Sequence, residues 1–197
     1  MKQDTAHRTE NHRPAGLARR SLLVGAPAAA LALCALPAAA QTDNELTRVL
    51  RELAPHDRPG AARRRAAPRR LVLRGQRAVT VDMSRKVDIT VFFDLNSANL
   101  RPDARITLLR LARALNNPIL ADQNFLIAGH TSADGDYDFN VALSHDRANS
   151  VRDWLIAYGD VAGGRLTANG FGPDLPRNAA NPAAPINRRV EIIALAN

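Results

Sequence analysis

FLIAGHTSADGDYDFNVALSHDRANSVRDWLIAYG, residues 125–159, decides the fold. It opens with FLIAG, residues 125–129, an apolar run of the length and character of a central strand buried on both faces. A helical pattern follows from about Tyr137 to Tyr158, with Phe139, Leu143, Val151, Leu155 and Tyr158 recurring at helical spacing before Gly159 closes it. Between the two, GHTSADG packs a histidine, two hydroxyls and a carboxylate into one turn. A strand that passes through a short turn into a long helix is part of a strand-helix-strand unit.

Upstream, VDITVFF (87–93) places Val87, Ile89, Val91 and Phe93 on one face and Asp88 and Thr90 on the other, the alternation of a half-buried strand. DLNSANL (94–100) is turn-like, and Pro102 suits the first turn of a helix in which Ile106, Leu109, Leu111 and Leu115 recur until Asn116-Asn117-Pro118 ends it. Downstream, RLTANGF and RRVEIIAL read as two more strands, with Gly170 and Gly172 shaping a turn. The order β-α-β-α-β-β predicts an α/β (α+β) sandwich, a mixed sheet with its helices on one face.

A chain of 197 residues has room for one such domain plus extensions. The net charge of +8 lies in the extensions: residues 1–40 hold five Lys or Arg against two acids, residues 41–80 ten against four, and residues 81–197 twelve against thirteen. With aromatics at 4%, a near-neutral domain lacks both the basic face and the stacking platform of a nucleic-acid binder, so no nucleic acid is expected.

Residues 1–20 are polar and end in Arg19-Arg20; SLLVGAPAAALALCALPAAA then runs to Ala40 without a charge, the layout of an export signal over residues 1–40. Ala38 and Ala40 provide the small residues ahead of a cleavage site, so cleavage is predicted before Gln41. Arg19-Arg20-Ser21-Leu22-Leu23 resembles a twin-arginine signal, although paired arginines also occur in general secretory signals. Leu33 ahead of Cys34 departs from the small residue that a lipoprotein signal requires, and cleavage removes the one cysteine.

In residues 41–80, Thr42 or Asp43 is expected to cap a short helix with Leu46, Val49, Leu50 and Leu53 on one face, stopped by Pro55. HDRPGAARRRAAPRRLVLRGQR follows, in which arginines interrupted by Pro59, Gly60 and Pro68 read as a solvated linker before a domain over 81–197. Its charge implies chain extension and solubility, or attraction to anionic lipid or envelope proteins.

Two chemistries fail on spacing. Asp134, Asp136 and Asp138 open like a calcium loop, but Phe139 and His145 occupy the positions that need glycine and glutamate. His130 with Ser132 or Ser144 lacks any nucleophile signature, so no catalytic residue, metal or cofactor is predicted. A third feature stands out: Arg147 occupies the i+4 row of Leu143 and Val151, where an apolar residue is expected, and must reach a partner or the edge of the sheet. Asn140, Ser144 and Arg147 form a polar stripe beside the GHTSADG turn.

As a set, VFFDLNSANL, IAGHTSADG, DFNVALSHDRANSVRDWL, LTANGFGPDLPRN and NRRVEI resemble, in order, the landmarks of the OmpA-like C-terminal domain. The resemblance implies a non-enzymatic periplasmic domain that holds peptidoglycan non-covalently by the diaminopimelate of its stem peptide, near the cell wall or outer membrane. Such a ligand ends in a zwitterion, which asks for a cation and an acceptor. The resemblance assigns the cation to Arg147. The turn aspartate of the family is Ser132 here, a change worth about 1–3 kcal/mol of charge-assisted bonding, with Asp134 two positions on as a substitute. Thr131, Asn140 and Asn96 match pocket positions, and Arg188 is a neighbour or an internal ion-pair partner. Ser132 also leaves a second reading open, an OmpA-fold scaffold for protein interaction that no longer binds the wall.

Overall fold

The computed structural model describes residues 38–55, 67–75 and 78–196, all within one compact unit, Leu36–Asn197. The predicted export signal, apart from its last residues, lies outside the described residues; helix α1, Ala38–Leu53, runs across the expected cleavage point before Gln41. Thr42 and Asp43 therefore sit inside the helix and do not cap it.

The remaining elements are β1 (Arg69–Val72), β2 (Ala78–Ile89), α2 (Ala104–Leu115), β3 (Phe125–His130), α3 (Tyr137–Gly159), β4 (Leu166–Gly170) and β5 (Arg189–Leu195). They build a five-stranded sheet in the order β1-β2-β5-β3-β4. Only β3 and β4 run parallel; β5 is antiparallel to both its neighbours, as is β1 to β2. The expected mixed sheet is present, with α1, α2 and α3 over one face.

Alternation along the central strands explains that face. Phe125, Ile127, Val190, Ile192 and Ala194 point into one core with Leu108, Leu111, Leu115, Val151, Leu155, Val49 and Leu53. The face of α2 is phased differently from the expectation: Ile106 and Leu109 are exposed, and Leu108, Leu111, Ala112 and Leu115 are buried. Alanines 104, 112 and 114 form part of the buried stripe, a small-residue contribution that a search for large apolar side chains passes over. In α3, Leu143, Ala148, Val151 and Leu155 are buried, while Phe139 and Tyr158 are exposed.

Within residues 41–80 the expected short helix is present, ending before Pro55 with Leu46, Val49, Leu50 and Leu53 toward the core, while part of the expected linker is a strand. α1 sends Val49 and Leu53 into the core and pairs Glu45 with Arg110 at 2.7 Å. The buried Arg85 on β2 donates from Nε and Nη2 to the Leu53 carbonyl at 3.0 and 2.7 Å, and from Nη2 to Gln123 Oε1 at 2.7 Å. A cation thus caps the negative end of α1. RRLV, read as linker, is the edge strand β1. Its Leu71, with Leu73, packs against Val81, Leu126, Ala128 and Ile193 on the sheet face away from the helices. The Arg74 amide fixes that end by donating to Asn169 Oδ1 at 2.8 Å.

β2 ends at Ile89, short of the expected Phe93, because its partner β5 begins at Arg189 and Ile89 faces Val190. Beyond that point the chain has no strand to pair with. It folds back on itself through a bridge between Phe93 and Leu100.

Candidate binding cleft

That fold-back forms the first wall of a cleft. The Asp94 amide donates to the Asn99 carbonyl at 3.1 Å and the Ser97 amide to the Asp94 carbonyl at 3.2 Å, which places Asn96 at the tip with φ of 49°. Asparagine tolerates this left-handed conformation better than most residues.

The second wall is the turn leaving β3. The Thr131 amide donates to the Gly172 carbonyl and the Ala133 amide to the Pro182 carbonyl, each at 3.0 Å. Asn140 Nδ2 donates to the Asp134 carbonyl at 2.7 Å, tying the turn to α3. Asp136 caps α3, its Oδ1 accepting from the Phe139 amide at 2.7 Å. The third wall is the segment entering β5. Buried Asn187 organises it by donating from Nδ2 to the Pro182 carbonyl at 2.8 Å and accepting the Asn178 amide at 2.9 Å.

α3 lies unusually close to the sheet beside the cleft. Gly129 and Gly170 face each other across β3 and β4, and a Cβ at either would collide with the α3 backbone at Ser144 or His145. The Gly172 amide then donates to Ser144 Oγ at 2.9 Å. Gly129, read from sequence as a strand end, and Gly170, read as a turn former, determine how near α3 sits. Ser144 is consumed in the same contact and does not line the cleft, so the expected polar stripe is divided: Asn140 and Arg147 face the cleft, Ser144 the sheet.

The cleft has a volume of ≈ 620 Å³, and all seven residues singled out in the sequence line it: Asn96, Thr131, Ser132, Asp134, Asn140, Arg147 and Arg188. The sequence pattern does not single out Phe93, Asp94, Leu95 and Leu143, which also line the cleft. The first three read locally as a strand end and a plain turn. The signal for them was the absence of a β5 partner beyond Ile89, which depends on register.

Arg147 is half-buried. Its guanidinium carbon lies 4.9 Å from the Phe93 ring centre and its Nε donates to the Ser97 carbonyl at 2.9 Å. These contacts hold the side chain by one edge and one face. Its terminal nitrogens have no hydrogen bond to a described residue. Burial, and after it the Arg188 charge, lower its pKa from the ordinary value, while an arginine stays protonated throughout the physiological range. Arg188 Nη1 donates to Ser132 Oγ at 3.4 Å. Thr131 Oγ1 and both ring nitrogens of His130 are buried without a hydrogen-bond partner among the described residues.

Behind the cleft lies an ionic cluster. Glu191 accepts from Arg189 Nη2 at 2.7 Å and Lys86 Nζ at 3.0 Å, and Asp88 pairs with Arg189 and Arg177. Burial on its own raises the Glu191 carboxyl; the hydrogen-bonded Arg189 guanidinium, with the His130 ring close by, outweighs this and holds it well below the usual carboxylate range. His130 stacks on Phe171, with ring centres 5.8 Å apart. Its Nε2 is 3.6 Å from Glu191, and burial lowers its pKa. The arrangement offers a carboxylate-binding guanidinium, hydroxyls on the floor, and apolar walls for a carbon chain.

The sequence profile of the OmpA family matches residues 92–189. The chain is 34% identical over 95 residues to a peptidoglycan-associated lipoprotein of Mesorhizobium japonicum, covering 48% of this chain and 55% of the relative. It is 38% identical over 104 residues to the probable lipoprotein YiaD of Escherichia coli, covering 52% and 46%. The chain thus spans about half the length of these curated relatives. Among solved structures, the cell wall anchor of the T6SS from Pseudomonas aeruginosa is 30% identical, with 61% of this chain and 82% of that chain covered at a TM-score of 0.45.

Proposed function

Since the chain belongs to the OmpA family over residues 92–189, we propose that it is a non-enzymatic envelope protein that binds peptidoglycan, with the cleft holding the diaminopimelate of a stem peptide. One observation carries this reading: Arg147 is half-buried, held by Phe93 and Ser97, and free at its terminal nitrogens toward a cleft with no ion-pair partner for it among the described residues. Desolvating a guanidinium without a counter-ion costs free energy that a bound carboxylate recovers. Export through residues 1–40, to the periplasm and into association with the cell wall or outer membrane, belongs to the same proposal.

The peptide's carboxylate meets Arg147, its methylene chain lies along Phe93, Leu95 and Leu143, and its polar end lies toward Thr131, Ser132, Asn140 and Asp134. Asn96 and Arg188 close the mouth. Exposed Arg69 and Arg70 on β1 add attraction to anionic lipid or envelope proteins that falls with salt.

Co-sedimentation of the full chain with purified sacculi tests the proposal. Arg147→Ala is expected to lower retention at least about tenfold, the loss of one charge-assisted contact. Retention unchanged in that variant refutes the role of the cleft. Ser132, a neutral hydroxyl in the turn, favours the second reading of a scaffold with no hold on the wall; absence of wild-type retention at low salt, with an envelope protein recovered by crosslinking, supports it.

A further inference from the structure

Two guanidiniums face the cleft, and among the described residues neither has an ion-pair partner. Arg188 is close enough to Arg147 for its charge to oppose protonation there. The third arginine of the lining, Arg189, is already balanced by Glu191 and Asp88. Ser132, which is 5% exposed, accepts from Arg188 and brings no negative charge to the wall. Beside it the Thr131 hydroxyl is 3% exposed as a residue and has no hydrogen-bond partner. Asp94 and Asp134 also line the cleft, but among the described residues neither forms an ion pair with Arg147 or Arg188.

The exposed Arg188 repels the half-buried Arg147, and relief comes from a ligand that brings negative charge to both. The buried Thr131 hydroxyl, without a partner among the described residues, adds a donor for the same oxygens. We infer that Arg147 and Arg188 act as a two-guanidinium clamp that selects ligands carrying two acidic groups, and that an ammonium beside the carboxylate adds no affinity. Specificity at the wall then follows from the spacing of acidic groups along the stem peptide, and modification of the amine is tolerated. This inference rests on the cleft being the ligand site.

The test compares meso-diaminopimelate with pimelate, which has the same carbon chain without the ammonium groups, by chemical-shift titration of the full chain. Affinities within about tenfold of each other are expected, a difference below about 1.4 kcal/mol. Arg188→Ala, a change at an exposed side chain, is expected to weaken pimelate by about tenfold or more. Ser132→Asp is expected to shift preference toward diaminopimelate, with an unchanged circular dichroism spectrum showing that it folds. A wild-type preference for diaminopimelate of about tenfold or more, or pimelate binding indifferent to Arg188→Ala, overturns the inference and leaves the cleft as the site. Failure of both compounds to bind removes the cleft reading as well.

Discussion

Replacing Gly129 by alanine tests whether close approach of α3 sets the cleft. An added Cβ would overlap the Ser144 carbonyl oxygen and stand 3.0 Å from its carbon and 3.4 Å from Ala148 Cβ. Carbon atoms in comfortable contact are about 3.5–4.0 Å apart and the oxygen is closer still, so the helix must retreat by about 1 Å or tilt away from the sheet. Backbone atoms are the obstacle, and no side-chain rotation relieves them. Overpacking of this kind costs about 1–3 kcal/mol. At roughly 2–4 °C per kcal/mol for a chain of this size, melting should fall by roughly 2–12 °C.

Retreat also carries Arg147 away from Ser97, whose carbonyl it reaches at 2.9 Å, so wall retention should fall with stability. Gly164→Ala is the control, because a Cβ there meets nothing within 4 Å. Thermal melts followed by circular dichroism, with sacculus retention measured well below the melting point, provide the readouts. A Gly129→Ala protein that melts with the wild type and binds as it does would refute the reasoning.

Other outcomes follow from the buried ions. Arg85→Met leaves the Leu53 carbonyl and Gln123 Oε1 without that donor, at about 1–3 kcal/mol for each group left unsatisfied; a lower denaturation midpoint and faster amide exchange concentrated in α1 are expected, and uniform exchange across the domain contradicts the cap. His130 resists protonation when folded, and the unfolded chain takes up that proton near 6.5. Stability is therefore complete above that pH and declines below it, by at most about 1.4 kcal/mol per pH unit. Glu191, depressed in the fold, adds a further loss as pH falls below its unfolded value near 4.5. Urea titrations between pH 8 and about 3 should show both phases, and His130→Asn should flatten the first; an identical slope in the variant contradicts its assignment to His130.

The parts of the fold that were legible in the sequence are those whose burial is repeated by large apolar side chains. Leu143, Val151 and Leu155 marked α3, and Phe125 to Ala128 marked a strand covered on both faces. β1 was hidden because a strand of four residues with two arginines offers a single buried leucine, too little for alternation to be detected. Ile106 and Leu109 misled the phase of α2 because alanines do part of the packing there. At the cleft, Arg147 was visible as a charge on an apolar row. Phe93 and Asp94 were not, since their role depends on where β5 begins, a long-range fact that no local pattern contains.

The strand order β1-β2-β5-β3-β4 has a consequence for the time course of folding. β5, the last strand in the sequence, occupies the middle of the sheet, and its partners Lys86 and Ile193 are more than a hundred residues apart. Before it is in place, β1 with β2 and β3 with β4 are separate pairs that share no ladder. Contacts of such separation close late and slowly, because the loop entropy is spent before they form. A chain emerging from synthesis thus keeps its sheet open until β5 has been made, and the same strand that completes the sheet fixes Arg188 beside the cleft. Closure of the sheet and assembly of the cleft are one event in this molecule, set by the arrival of β5.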